Sequence, residues 1–244
     1  MNHDVVVERK EAVAWVRVDG AHGNALTPQL VRSVARAFDE AEADPGVAAI
    51  ALTSSARNFC TGAELSLLKR VADDPLADDN FDDLGSIYDL FCRIQDSPLP
   101  TVAGVGGKVL GAGINLALCC DVRIVADDVL IRGFGASGVH PGGGHLRMLE
   151  RALGAQRAAQ LGLFGAVYDA AEAVSSGFAL RAVPRAELES ATLEVAQGAG
   201  GDPALSRRVT ASLRASRGDV VTPRAAVTIE RAAQIWSLGR RTYP

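Results

Sequence analysis

Few side chains in this 244-residue chain can move a proton close to neutral pH, and two of them bracket a glycine-rich stretch. His140 and His145 stand at the end of Gly133 to Gly144, and an imidazole titrates near neutrality. Glu64 follows the small-residue run Thr61-Gly62-Ala63, and Arg132 precedes Gly133. A second glycine-rich turn, Gly111-Ala112-Gly113, opens an apolar segment through Cys120. Turns of this kind let a ligand approach the backbone closely, and the start of a helix presents free N–H groups to an oxygen carrying negative charge.

Other chemistries fail on spacing. Gly133-Phe134-Gly135-Ala136-Ser137-Gly138 fits G-x-G-x-x-G, but Pro141 and three more glycines follow where a helix should open, so the dinucleotide fingerprint fails. Lys108 lacks the upstream glycine of a phosphate loop, and Val109 stands in place of its Ser/Thr. Ser137 lacks the flanking glycine of a nucleophile elbow. No two histidines bracket a glutamate at i, i+4, and no Cys/His cluster forms, so no metal is expected. Cys60, Cys92, Cys119 and Cys120 contain no C-x-x-C pair and read as reduced thiols.

Three ordered segments carry a stronger signal. They are Gly23-Asn24-Ala25-Leu26-Thr27, Asn58-Phe59-Cys60-Thr61-Gly62-Ala63-Glu64-Leu65, and Pro100 through Gly111-Ala112-Gly113-Ile114-Asn115 to Cys120-Asp121-Val122-Arg123-Ile124. Pro141-Gly142-Gly143-Gly144 and Leu163 to Arg181 add support. Together, to about residue 183, they resemble the crotonase (enoyl-CoA hydratase/isomerase) superfamily.

The resemblance implies a ClpP/crotonase-like α/β spiral of β-β-α units over 1–184, with a helical C-terminal region over 185–244 for oligomerisation and pocket covering. It implies an acyl-CoA substrate, with coenzyme A arriving as part of the thioester and no permanently bound cofactor. It also implies a homo-oligomer, a trimer or a dimer of trimers. In the family, two backbone N–H groups at the positions of Ala63 and Ala112 hold the thioester oxygen. Ala25, Leu26, Thr61, Glu64, Leu65, Gly111, Asn115, Gly133 and Phe134 fall on substrate-binding positions. One oxyanion donor is worth about 10²–10³ in rate.

The chain departs from the pattern where the family carries its two hydratase glutamates. Those positions are Asn115 and Phe134, and neither side chain transfers a proton. Acid–base catalysis is typically worth about 10²–10⁴, so ordinary water addition is expected to be crippled unless another group substitutes. His140 is the first candidate, with His145, Arg132 and Glu64 behind it; His22 falls near the expected coenzyme A cradle. Two readings stay open: an acyl-CoA enzyme of the family, running hydration, isomerisation or hydrolysis, and a non-catalytic acyl-CoA-binding protein.

The elements that position these residues are legible in outline. Val5 to Val7 and Val13 to Val18 read as strands around a polar turn at Arg9-Lys10-Glu11. Thr27-Pro28 is a hydroxyl cap followed by proline, opening a helix that stops at Asp44-Pro45-Gly46. Val47 to Thr53 is a continuous apolar run, the mark of a strand buried on both faces. Asp73 to Asp83, acidic and proline-containing, reads as a mobile surface segment. Thr101 to Val105, Val122 to Val125 and Val129 to Ile131 are short buried strands; Asp169 caps a helix that Gly177 ends. Beyond Pro184 only helices are expected. Arginines 207, 208, 214 and 217 read mainly as a solvated helix face, with coenzyme A phosphates as the alternative partner.

Composition bounds the rest. Hydrophobic residues are 48% and charged residues 22%, enough for one large core, and the net charge of -4 gives no nucleic-acid or anionic-membrane surface. The polar start, Met1-Asn2-His3-Asp4, has no apolar signal region, and Val109 to Cys120 is too short to span a bilayer. A cytoplasmic protein is expected.

Overall fold

The computed structural model describes residues 4–74, 76–136 and 139–216. Strands β1 (Val5–Lys10) and β2 (Val13–Val18) form an antiparallel hairpin. Its turn lies at Glu11-Ala12, not at Arg9-Lys10-Glu11. Arg9 and Lys10 pair with Ala14 and Val13, and Glu11 takes the left-handed conformation (φ 54°) that a tight turn requires. The Arg9 guanidinium reaches Asp44, and the Lys10 ammonium lies 3.4 Å from the Trp15 ring centroid, so both charged side chains find partners while in the strand.

A left-handed turn, α1 (Ala21–Asn24), precedes α2 (Pro28–Ala43), whose Leu30 amide donates to Thr27 Oγ1 at 3.0 Å, the cap its sequence calls for. Then come β3 (Ala49–Ser54), α3 (Leu65–Asp73), α4 (Asp78–Gln95), β4 (Thr101–Val105), β5 (Lys108–Leu110) and α5 (Ala112–Leu118). The remaining elements are β6 (Val122–Ala126), β7 (Leu130–Arg132), a 3₁₀ turn at Phe134–Ala136, α6 (His145–Gly162), β8 (Val167–Tyr168), α7 (Ala170–Ser175), β9 (Arg181–Val183), α8 (Leu188–Gln197) and α9 (Pro203–Ala215).

Six strands in the order β1-β2-β3-β4-β6-β9 make the main sheet, parallel from β2 onward; β5-β7-β8 make a smaller one. The apolar run at 47–53 is buried on both faces, and alternation assigns its residues. Ile50 and Leu52 face the large core beneath α2, whereas Ala49 and Ala51 face α8 through Leu188 and Ala191. The chain is thus a two-sheet α/β fold, and α8, though beyond residue 184, covers the second face of the main sheet.

The segment Asp73 to Asp83 is half helix. Asp78 and Asp79 occupy the first turn of α4, where acidic side chains meet the positive helix end. Asp83 pairs with Arg70 of α3 at 2.9 Å. Acid content alone suggests an irregular loop; the apolar positions Ile87, Leu90, Phe91 and Ile94, buried further along, carry the helix through it.

Candidate functional site

The backbone comes first. Residues 60–64 run between the Gly23–Leu26 segment and β5. Leu26 N–H donates to Gly62 O (2.7 Å) and Glu64 N–H to Leu26 O (3.0 Å), while Leu110 N–H donates to Cys60 O (3.0 Å). In such a parallel bridge the amides flanking Ala63 serve Leu26, so Ala63's own N–H turns to the other side, where β5 runs into α5. Gly62 seals the approach: with φ 96° and a position where a Cβ would lie 2.9 Å from Leu110 O and 3.7 Å from Ala112 N, only glycine fits. Gly113 is equally constrained, since a Cβ there would overlap the Cys60 carbonyl. Ala112 is the first residue of α5, where a helix has no internal acceptor for its N–H. Among the described residues, neither the Ala63 nor the Ala112 N–H has a hydrogen-bond acceptor.

One helical turn past Ala112, Asn115 is fully buried. Its Nδ2 donates to the carbonyl of Gly142 (2.9 Å) and lies 3.5 Å from that of Gly143. Carbonyls only accept, so the amide is oriented with Oδ1 toward Nδ1 of His145, 2.6 Å away. Oδ1 also only accepts, so Nδ1 carries the proton. His145 is 1% exposed, and burial pushes its pKa down from 6.5 to about 4, so the ring is neutral at pH 7 and Nε2 holds a lone pair. That Nε2 is buried and has no hydrogen-bond partner among the described residues. The Phe134 ring meets His145 edge-on, centroids 4.8 Å apart at 73°, and its other edge lies over Gly111, 3.6 Å from where a Cβ would be. Asn115, Phe134 and His145 therefore close one polar-apolar cluster against the Gly111–Ala112 turn.

The remaining sequence-derived residues divide. Ala25 and Leu26 are buried beside the 60–64 segment. Thr61 Oγ1 donates to His22 O at 2.8 Å, and Asn24 Nδ2 reaches Ser54 Oγ and the carbonyls of Asn58 and Phe59, holding the left-handed turn against this loop. Glu64 stands at the N-cap of α3 with its carboxylate accepting from Ser66 Oγ at 2.7 Å, and Leu65 is 81% exposed. Gly133 packs where a Cβ would meet Leu161 O. Arg132 is exposed. His140 is exposed too, its Nδ1 2.7 Å from the Pro141 carbonyl oxygen; the imidazole joined to Asn115 is His145. The one sequence signal for that pairing is Asn115 itself, a polar side chain among Ile114, Leu116 and Ala117, because a buried amide must find partners.

Arg207 and Arg214 do not make a solvated face. Arg207 donates to the carbonyls of Glu42 and Asp44. Arg214 donates to those of Gln95 and Leu99 and pairs with Asp121. Both are spent on carbonyls at the ends of helices and loops, a use that helical spacing alone does not reveal. Arg217 lies outside the described residues.

Cys60, Cys119 and Cys120 are buried, and Cys92 is exposed; all four are free thiols. Burial pushes the Cys60 and Cys120 thiols up to about 12, which removes them as nucleophiles. Among the described residues no cluster of His, Cys, Asp or Glu could hold a metal, and no helix is long and apolar enough to cross a membrane. A cleft of about 450 Å³ is lined by Gln95, Cys119, Met148, Arg147 and Arg151 among others, and shares no residue with the two turns described above.

Comparison with known proteins identifies the family and the fold. The family model for enoyl-CoA hydratase/isomerase matches residues 8–232. A probable enoyl-CoA hydratase of Mycobacterium tuberculosis is 37% identical over 221 residues, covering 88% of this chain and 84% of its own. One of Mycobacterium bovis is 36% identical over 189 residues, covering 75% and 70%. Among solved structures, an enoyl-CoA hydratase from Bacillus anthracis superposes with a TM-score of 0.86 at 23% identity, covering 98% of this chain and 92% of its own. That last likeness is one of fold.

Proposed function

This chain belongs to the enoyl-CoA hydratase/isomerase family of the crotonase superfamily, and from that membership we propose that it binds an acyl-CoA thioester with its carbonyl oxygen between the N–H groups of Ala63 and Ala112. The observation that carries the reading is the pair of unaccepted amides on two turns packed against each other through Gly62. Removal of a proton from, or addition of a nucleophile to, the acyl group moves charge onto the thioester oxygen. Two N–H groups held on the backbone at that position would stabilise that charge without reorganising, worth about 10²–10³ in rate for each donor.

Hydration by a glutamate pair is not the mechanism of this chain. Asn115 has both ends of its amide engaged, by Gly142 and by His145, and it cannot ionise. Phe134 supplies an apolar wall. The reaction is therefore enolate chemistry on an acyl-CoA with a different proton carrier. The second reading, an acyl-CoA-binding protein without turnover, is favoured by the same two residues. Coenzyme A enters as part of the substrate, and assembly as a trimer or a pair of trimers in the cytoplasm completes the proposal.

Binding and turnover separate the readings. Calorimetry with crotonyl-CoA and butyryl-CoA, beside hydration, double-bond isomerisation and thioester hydrolysis assays, is the direct test. Binding with at least one turnover supports the enzyme; binding alone supports the carrier. Absence of binding to every acyl-CoA refutes both.

A further inference from the structure

The cleft of about 450 Å³ lies at the far end of α5 from the Ala112 turn, walled by the ends of α4, α5 and α9 and by the middle of α6. Four arginines and two aspartates line it, a net charge of +2. Two of the arginines are committed to the fold. Arg123 donates to the carbonyls of Cys120 and Phe178. Arg214 donates to those of Gln95 and Leu99 and pairs with Asp121. The other two, Arg147 and Arg151, are exposed and stand one turn apart on the same face of α6. Among the described residues Arg147 makes no ion pair. Asp96, exposed at the end of α4, is the one acid of the lining outside the Arg214 pair. The floor is soft and apolar: Cys119 and Met148 are buried, with their sulfurs 3.9 Å apart. Gln95 Nε2 donates to these two sulfurs, at 3.6 and 3.3 Å. Sulfur is a weak acceptor, so a carboxylate oxygen would be a stronger partner for that amide.

From this lining we propose that the cleft is a second binding site, for a small organic anion: a carboxylate on an unbranched hydrocarbon chain. The carboxylate is held by Arg147 and Arg151 with the Gln95 amide, and the chain covers Cys119, Met148 and Leu118. A guanidinium matches a carboxylate with two parallel N–H···O bonds, and methionine adapts its shape to a flexible chain. The volume suits an organic molecule rather than a bare ion. Among the described residues that line the cleft none is aromatic, so nothing there stacks on a nucleotide base. The inference stands apart from the acyl-CoA reading, since the cleft shares no residue with either proposed oxyanion turn.

The chain has two methionines, Met1 and Met148, so a methionine-methyl label reports on the cleft through one assignable signal. The test titrates the full-length, methyl-labelled protein with sodium octanoate, 1-octanol and inorganic phosphate, followed by NMR. The expected result is a saturable shift of the Met148 methyl with octanoate, at an affinity at least 5-fold tighter than for 1-octanol, and no such shift with phosphate. Arg147→Gln and Arg151→Gln, both on the exposed face of α6, should each weaken octanoate binding about 5- to 15-fold, the range for a partly exposed charge-assisted hydrogen bond. Should either variant not fold, the octanoate, octanol and phosphate titrations of the native protein decide alone. A Met148 methyl that does not respond to octanoate overturns the proposal. So does octanol binding as tightly as octanoate, phosphate producing the same shift, or octanoate affinity unchanged in folded Arg147→Gln and Arg151→Gln.

Discussion

Acid should weaken this protein through one residue whose contribution can be worked out in advance. His145 titrates near 6.5 in the unfolded chain and near 4 in the folded one, because burial disfavours the imidazolium. Between those values the unfolded state binds a proton that the native state refuses. Stability therefore rises with pH across this window. The His145 contribution is fully present above about pH 6.5 and is lost as pH falls toward 4. The 2.5-unit separation corresponds to about 3 kcal/mol in total, or about 1.4 kcal/mol per pH unit in mid-window. That is a large part of the stability of an ordinary domain. Many carboxylates titrate in the same range, so the measurement must be a difference. Urea unfolding of the native protein and of His145→Gln, followed by circular dichroism at fixed protein concentration from pH 7.5 to 4.5, isolates the imidazole. The advantage of the native protein at pH 7.5 should shrink by about 2–3 kcal/mol by pH 4.5. Parallel stability curves for the two proteins would refute the reasoning, because they would mean that the folded protein accepts the proton as readily as the unfolded chain.

Further expectations follow from the same geometry. Ala112→Pro deletes one proposed oxyanion donor at the first position of α5, where proline is tolerated, and should lower kcat on any acyl-CoA substrate about 10²–10³-fold while the circular dichroism spectrum is retained. Asn115→Asp places a carboxylate 2.6 Å from Nδ1 and should raise the His145 pKa above that of the native protein, read as a shifted Cε1 proton titration by NMR. Gly113→Ala drives a methyl into the Cys60 carbonyl and should destabilise the fold by about 1–3 kcal/mol, read as a lower urea midpoint; an unchanged midpoint would show that the two turns are not in close contact.

Local chemistry makes much of the chain legible from its residues alone. Thr27-Pro28 opens α2, and the Thr27 side chain caps it. Asp169 and Glu172 form the reciprocal capping box at the start of α7, and Gly177 follows its end with φ 84°. The unbroken apolar run before Thr53 is a strand covered on both faces. The two glycine-containing turns are legible too, because Gly62 and Gly113 allow an approach that any side chain would block. Each of these features is settled within a few residues, by caps, periodicity or the absence of a Cβ.

Features that depend on distant residues are not settled in this way. His140 and His145 look alike in the sequence. Only the packing of α5 against α6, bringing together residues thirty positions apart, joins His145 to Asn115 and leaves His140 exposed. Arg207 and Arg214 look like surface charge until the fold places carbonyls of distant segments under them. The aspartates of α4 look like loop until Ile87, Leu90 and Phe91 meet the core. Burial is a property of the assembled chain. Two identical imidazoles differ in partner and surroundings because one is taken out of water and the other is not.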